Sequence, residues 1–183
     1  MGVMDKLWLE FPNAFWTNDL QSDWLSYISD TPGQWVETLN VFKYTKKPVL
    51  LMFNIGASAK SFASKTDTDV LNSAMTAIKK MYPNAPNYVN YKRSNWGLDP
   101  NSYGSYPFVK AGATSSDCKA YSESDSTNSK IFFAGDGASC QLIGTVHGAY
   151  ITGVQAANAL NASKILALAC MSLLAISLVF SYI

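Results

Sequence analysis

A chain of 183 residues suits one ordinary domain or part of a larger protein. Fourteen basic and thirteen acidic side chains give a formal net charge of +1, which excludes a general electrostatic attraction for nucleic acid. Hydrophobic residues make up 48% of the chain and charged residues 15%, so there is ample material for a packed core.

The first half of the chain predicts an antiparallel sheet. Residues 7–11 are rich in large apolar side chains and stop at Pro12, which is typical of a buried strand that ends in a turn. Aromatic and β-branched runs at 24–28, 35–42 and 49–55 are separated by turn residues, and they predict consecutive strands of a meandering sheet.

An amphipathic helix is predicted over residues 67–81. Its apolar residues recur at spacings of three and four, from Val70 through Ile78 to Met81. Lys79 and Lys80 favour a helix end at this point. We expect the helix to pack on the sheet.

The second half has a different composition. Residues 114–129 are rich in Ser, Asp and Thr and predict an exposed loop. Residues 130–136 predict a buried strand that ends at a glycine and a carboxylate, and 145–160 predict a helix of small residues. The start of such a helix can hold a phosphate or a ring carbonyl, because free backbone N–H groups and the helix dipole point outward.

The last residues predict a membrane segment. Residues 165–183 contain no charged side chain, and at about 1.5 Å per residue such a helix is roughly 28 Å long. Lys164 stands at its boundary, as a snorkelling anchor does. We expect a single C-terminal membrane helix over 164–183, with a glycolipid-anchor signal at the cell surface and a buried soluble helix as alternatives.

The three cysteines and the single histidine do not predict a metal site. Cys118, Cys140 and Cys170 include no CxxC pair, and His147 cannot complete a zinc-ligand set with them. Cys118 and Cys140 either pair in an oxidising compartment or remain reduced thiols. The sequence leaves both possibilities open.

Three segments in a fixed order carry a resemblance to a known family. They are GVMDKLWLEF at 2–11 followed by Phe15-Trp16, WGLDP at 96–100 with GSY at 104–106, and FAGD at 133–136 with GTVHGA at 144–149 and Gly153. Together they resemble the flavin-containing amine oxidoreductases, the family of polyamine oxidases, monoamine oxidases and histone lysine demethylases. The resemblance covers roughly residues 2–160.

This resemblance implies an α+β fold. Residues 1–92 would be part of a substrate-binding domain with a mixed, largely antiparallel sheet and a packed helix. Residues 93–160, with the polar loop 114–129, would be the C-terminal strand–helix piece of an FAD-binding domain. Family members bind the ADP part of FAD with a G-x-G-x-x-G turn, which does not occur in this sequence. We therefore interpret the chain as a C-terminal portion without its N-terminal FAD-binding segment, which alone binds FAD weakly or not at all.

Catalytic roles are implied for three residues. Lys6 corresponds to the family lysine that holds a water near the flavin N5 and is implicated in oxidation of the reduced cofactor. The alternative for Lys6 is a surface lysine at a strand edge. Tyr106 corresponds to one wall of the aromatic cage that flanks the substrate nitrogen. The smaller Thr145 matches the opposite wall, which would leave the cage half open for a secondary or bulkier amine.

Other residues are implied to bind the cofactor. Trp96 corresponds to an aromatic residue beside the flavin, with a core tryptophan as the alternative. Ser105 stands where monoamine oxidases carry a cysteine bonded to the flavin, so FAD is expected to be noncovalent. Asp136 replaces a glutamate that binds the ribityl chain and, being one methylene shorter, is expected to reach it through water.

The glycine-rich helix start completes the implied cofactor set. The Val146 backbone N–H would bind the flavin pyrimidine carbonyl, and Gly135 and Gly144 would permit close approach of the cofactor. His147 is expected to pack and bond within the helix, not to act as a base.

The implied activity is oxidation of a small-molecule amine by FAD and dioxygen, with release of hydrogen peroxide. A polyamine is the expected substrate class, and it rests on the resemblance alone. The alternative is a noncatalytic membrane-anchored remnant or binding module that cannot hold FAD by itself.

Overall fold

The computed structural model describes residues 1–122 and 131–161. Packing divides the chain into two compact units, which we call unit 1 (Met1–Tyr106) and unit 2 (Pro107–Ile183). Residues 93–106 pack within unit 1. The division into a substrate-binding part over 1–92 and an FAD-binding part over 93–160 concerns function, and it stays a prediction.

Unit 1 is built on a five-stranded antiparallel sheet. Its strands are β1 (Met4–Glu10), β2 (Trp24–Ser26), β3 (Gln34–Asn40), β4 (Val49–Ile55) and β5 (Asn90–Arg93), in the spatial order β2-β3-β4-β1-β5. The prediction of an antiparallel sheet in an α+β fold is confirmed here. The predicted meander of consecutive strands is confirmed for β2, β3 and β4, and β1 lies between β4 and β5 and pairs with β4 along its whole length.

Three helices accompany the sheet: α1 (Phe42–Thr45), α2 (Ala57–Ala63) and α3 (Asp67–Met81). The predicted helix over 67–81 is confirmed as α3. The Thr66 hydroxyl accepts a hydrogen bond of 3.2 Å from the Asp69 backbone N–H and so caps its N-terminus. Six side chains on one face of α3 are buried in the hydrophobic core: Val70, Leu71, Ala74, Met75, Ala77 and Ile78.

The two faces of the sheet differ in burial. On β1 the odd-numbered side chains are buried, with Leu7 and Leu9 almost inaccessible, whereas the even-numbered ones are half-exposed. Strand pairing extends this alternation to the neighbouring strands. We call the second, less covered surface the open face; it comprises Lys6, Trp8 and Glu10 of β1, Val49, Leu51 and Phe53 of β4, Leu39 of β3 and Trp24 of β2.

A bulge in β3 brings Trp35 into the core. The β3–β4 register shifts between Gln34 and Glu37, and Trp35 has a φ of 52°. A positive φ is unfavourable for a bulky residue, so surrounding contacts must hold it. The Trp35 ring packs edge-on against Phe62, and its indole N–H donates to the Ser73 hydroxyl at 3.0 Å.

Unit 2 contains two helices within its described residues. They are α4 (Ser115–Ser122) and a helix over 146–161 that we call α5. The prediction of a helix over 145–160 is confirmed by α5. The loop prediction over 114–129 is wrong for its first part, because the Thr114 backbone N–H and hydroxyl both donate to the Asp117 carboxylate and so begin α4. Residues 123–130 lie outside the described part.

The buried strand predicted over 130–136 is wrong for the residues described. Residues 131–134 are irregular, and Ile131 and Phe133 are 52% and 41% exposed. A strand needs a neighbour to accept its ladder hydrogen bonds, and the described residues of unit 2 include no strand. The three-residue turn Asp136–Ala138 follows.

Cys118 and Cys140 form a disulfide whose Cα atoms are 5.5 Å apart. The structure thus decides the alternative that the sequence left open. The bond joins α4 to the segment just after the Asp136–Ala138 turn.

The predicted membrane or anchor-signal helix over 164–183 lies outside the described residues and stays a prediction. Neither the helices of unit 1 nor the described helices of unit 2 combine the length and apolar character that a bilayer crossing requires.

Candidate functional site

In unit 1, residues 105 and 106 are hydrogen-bonded to the start of β1 and to the residues just before it. The Gly2 backbone N–H donates to the Tyr106 carbonyl, and the Ser105 N–H donates to the Gly2 carbonyl, each at 2.8 Å. The Ser105 hydroxyl accepts from the Met4 N–H at 2.7 Å and donates to the Met4 carbonyl at 2.8 Å. The side chain of Ser105 therefore completes the strand edge where β5 does not reach.

A second serine fixes the position of Lys6. The Lys6 backbone N–H donates to the Ser94 hydroxyl, and the Ser94 N–H donates to the Lys6 carbonyl, each at 2.9 Å. Both bonds hold the backbone of Lys6 against the segment that leads to Trp96. Sequence reasoning missed Ser94, since a serine after a strand carries no distinctive signal.

Lys6 and Trp96 line one cavity of about 480 Å³. Trp8 and Lys92 of the sheet and Asp99 also line it. Trp96 is 46% exposed, so in this chain it is not the core tryptophan that the alternative required. Two of the residues assigned to the flavin are thus brought together.

The charge around this cavity is mainly positive. Lys6 forms no ion pair within the described part of the chain, whereas Arg93 is held by the Phe62 carbonyl at 2.7 Å and by the Asp67 carboxylate at 3.1 Å. The ammonium of Lys6 is therefore available to a negatively charged or electron-rich ligand.

Asp5 is a buried acid directly beside Lys6 in sequence, on the opposite face of β1. It is 4% exposed, and burial raises the pKa of its carboxyl, while the Arg93 guanidinium and the Trp96 backbone N–H lower it. Neither carboxylate oxygen of Asp5 has a hydrogen-bond partner among the described residues. A carboxylate at an odd position of a strand with alternating burial was a usable signal that we missed.

In unit 2, Thr145 caps α5. Its hydroxyl accepts a hydrogen bond of 3.1 Å from the Gly148 N–H, which is the usual capping geometry. Val146, the first helical residue, has no intrahelical acceptor for its backbone N–H, and it is 88% exposed. His147 is exposed as well, so its expected packing role is not seen in the described residues.

The glycine that precedes Asp136 is fixed by α5. The Thr152 hydroxyl donates to the Gly135 carbonyl at 2.9 Å and accepts from the Gly135 N–H at 3.0 Å. Gly135 has a φ of 128° and no atom within 4 Å of the place where a Cβ would stand. Gly144, with a φ of 73°, has only the Pro107 carbonyl oxygen nearby, at 3.8 Å. Both glycines therefore leave space beside the backbone for a ligand.

The described residues fit a flavin in their chemistry. Unit 1 offers an exposed indole and an ammonium, free of ion pairs among the described residues, that line one cavity, and unit 2 offers the N–H of a helix start and two glycines with space beside their backbone. Such groups suit a planar ring with carbonyl oxygens and an electron-rich edge.

A fold and a set of segments of this kind are typical of the flavin-containing amine oxidoreductases. The family model for flavin containing amine oxidoreductases matches residues 1–161, and the chain belongs to this family, whose cofactor is FAD. The membership predicted from the three segments is confirmed.

The relatives are amine oxidases and demethylases. The chain is 35% identical over 157 residues to polyamine oxidase 5 of Oryza sativa subsp. japonica, which covers 86% of this chain and 31% of that protein. It is 32% identical over 161 residues to lysine-specific histone demethylase 1 homolog 3 of Arabidopsis thaliana, and the aligned region covers 85% of this chain and 10% of that protein. The chain therefore spans about a third of the length of the rice relative.

The fold is similar to that of a solved oxidase. Cyclohexylamine oxidase from Brevibacterium oxydans IH-35A superimposes with a TM-score of 0.69 at 24% sequence identity, over 87% of this chain and 35% of that chain. This likeness concerns the fold.

Proposed function

We propose that this chain is the C-terminal portion of an FAD-dependent amine oxidase of the polyamine type. The observation that carries the proposal is the shared cavity of Lys6 and Trp96, with the Lys6 ammonium free of ion pairs among the described residues. The 35% identity to rice polyamine oxidase 5 supports the substrate class.

When bound, FAD would supply the redox chemistry for oxidation of the carbon next to the amine nitrogen to an imine, which water hydrolyses, with dioxygen reduced to hydrogen peroxide. Lys6 supplies a positive charge at the cavity, supplemented by Lys92. Trp96 offers an apolar wall, and Tyr106 offers an aromatic face that attracts a substrate ammonium and excludes water.

Unit 2 would hold the cofactor through its backbone. The Val146 N–H would donate to a ring carbonyl, the Asp136 carboxylate would bind the ribityl chain, and Gly135 and Gly144 would allow close approach. The cofactor is noncovalent, since Ser105 has no thiol and its hydroxyl is engaged with the Met4 backbone.

A further protein segment would complete the enzyme. The dinucleotide-binding turn G-x-G-x-x-G is not present in residues 1–183, and α5 exposes a stripe of apolar side chains at helical spacing, Val146, Tyr150 and Val154. An N-terminal FAD-binding segment would supply the turn and cover such a stripe. The uncharged residues 165–183 would anchor the enzyme in a membrane through one helix, or serve as a glycolipid-anchor signal.

Flavin titration of the full chain tests the proposed cofactor contact. We expect weak, saturable binding in which FAD has little advantage over FMN, because the chain lacks the turn that binds the ADP part. Val146→Pro should abolish this binding, since proline is tolerated at the first helical position and removes only the N–H. Val146→Ala is the matched control and should bind flavin as the native chain does. Quenching of flavin fluorescence provides the measurement.

Two results would overturn the proposal. Equal flavin binding by the proline and alanine variants would show that the Val146 N–H does not contact the flavin. A complete transcript without an in-frame glycine-rich strand and turn upstream of Met1 would favour the noncatalytic binding module.

A further inference from the structure

We propose that Gly2 is a positioning residue for the ring of Tyr106: because glycine has no side chain, the aromatic ring can lie directly on the backbone at this position. The inference deepens the proposed function and rests on it only for the role of Tyr106 toward an amine. The ring placement itself is a property of unit 1.

The Tyr106 ring lies directly on the backbone of Gly2. A Cβ built at Gly2 would stand 2.6 Å from Cε2 and 2.9 Å from Cε1 of the ring, and closer still to Cζ. Real Cβ atoms do not approach other heavy atoms this closely. Position 2 therefore accepts no side chain while the ring is in this place.

The ring lies on the same side of the strand as Lys6. Burial alternates from Gly2, which forms an isolated bridge just before β1, to Lys6: Val3 and Asp5 are buried and the even-numbered residues are half-exposed. A Cβ at Gly2 would therefore point to the open face, as the Lys6 side chain does. Four residues of extended chain separate their Cα atoms by about 13 Å. The backbone thus determines the spacing between the aromatic wall and the ammonium, and the glycine determines how close the wall lies to the strand.

A second glycine holds the paired segment. A Cβ at Gly104 would stand 2.7 Å from the Gly2 carbonyl oxygen, and Gly104 has a φ of 149°. A side chain at Gly104 would push against backbone, whereas one at Gly2 would push against the far end of a flexible side chain. We expect Gly104→Ala to break the pairing of the two segments, and Gly2→Ala to keep the pairing and displace the ring.

Nuclear magnetic resonance of the full chain tests this inference without cofactor or amine. The native chain should show nuclear Overhauser effects between the Tyr106 ring protons and the Gly2 Hα protons, and an upfield shift of those Hα protons from the ring current. Tyr106→Leu should abolish the upfield shift. Gly2→Ala should change the ring-proton shifts of Tyr106 while the Ser105 hydrogen bonds to Met4 persist. Gly97→Ala is the matched control, because its Cβ would meet Val3 at an ordinary 3.4 Å.

A double-mutant cycle distinguishes ring displacement from general damage. Gly2→Ala should lower the melting temperature in the native background and lower it less in the Tyr106→Leu background, because the clash is then absent. Equal losses in both backgrounds, or Tyr106 ring shifts in Gly2→Ala that match those in Gly97→Ala, would overturn the inference. Equal flavin binding by Val146→Pro and Val146→Ala would overturn the proposed function and leave these results unchanged.

Discussion

Units 1 and 2 contrast in how their structure is stabilised. In unit 1 a sheet and a helix enclose a continuous apolar core that includes Leu9, Leu50 and Ile78, all inaccessible to solvent. Among the described residues of unit 2, Ala138 is the one buried hydrophobic side chain, and many larger apolar residues are exposed. A disulfide and hydrogen bonds such as those of Thr152 hold the segment instead.

The contrast shows which part of the chain is self-sufficient. Burial of apolar surface is the main favourable contribution to folding, and unit 1 obtains it from its own residues. Unit 2 carries the helix start and the glycines assigned to the cofactor, and it leaves apolar surface uncovered. We therefore expect unit 1 to withstand changes that unfold unit 2.

The largest effect is expected in the core of unit 1. Leu50→Ala should lower the free energy of unfolding of unit 1 by about 2–5 kcal/mol, because it removes a fully buried side chain and leaves a cavity. Leu39→Ala on the half-exposed open face is the control and should cost less. Chemical denaturation followed by tryptophan fluorescence measures both, and equal costs would contradict the burial difference between the two faces.

The loss of stability on removal of the disulfide should be nearly as large, but it should be confined to unit 2. A loop closed between residues 118 and 140 is expected to contribute about 3 kcal/mol. Cys140→Ala should therefore speed amide hydrogen exchange in residues 131–161 while residues 34–81 keep their protection. Cys170→Ala controls for the replacement of a cysteine outside the Cys118–Cys140 bond. Parallel loss of protection in both units would refute the independence of unit 1.

The two threonine caps allow a comparison of the same interaction in each unit. Thr66→Ala and Thr145→Ala each remove a hydroxyl that accepts a backbone N–H at a helix start, at 3.2 Å and 3.1 Å, which typically costs about 1 kcal/mol. We expect Thr66→Ala to lower the cooperative melting temperature of unit 1 slightly. Thr145→Ala should instead accelerate local exchange at 146–150. A cooperative loss from Thr145→Ala would show that unit 2 folds as firmly as unit 1.

A smaller, pH-dependent effect on the melting temperature is expected when Asp5 is replaced. Its folded pKa is raised above the ordinary 3.8, so the folded state holds the proton more tightly than the unfolded state does. The stabilisation is complete below the ordinary pKa and is lost as the pH rises through the folded pKa. Asp5→Asn should match the native melting temperature in acid and exceed it increasingly toward neutral pH. A constant difference across this range would contradict the shift.

Local patterns predicted the regular parts of unit 1 well. The strand at 49–55 and the helix at 67–81 have the bounds that the apolar run between turn residues and the helical spacing indicated, because each pattern is a property of a single element. The predicted strand at 130–136 failed for its described residues, since an apolar run does not reveal whether a neighbouring strand exists to pair with it. The sequence made no prediction for the position of β1 between β4 and β5, since that position also depends on pairing between distant segments.

The candidate site likewise has features that the sequence predicted and features that it did not. Sequence motifs identified Lys6, Trp96 and Tyr106 through resemblance, but not the groups that position them. Ser94 and the hydroxyl of Ser105 act on backbone atoms that are 88 and 101 residues away in sequence. No local pattern encodes such bonds.

The sequence by itself determined the family, the helix on the sheet and the identity of the residues assigned to the flavin, because motifs and periodicity depend only on residues that are close together in the chain. Tertiary structure alone decided that Lys6 and Trp96 share a cavity, that Cys118 is bonded to Cys140, and that the ring of Tyr106 rests on Gly2. These are contacts between distant parts of the chain, and they exist only once the backbone has been paired and packed.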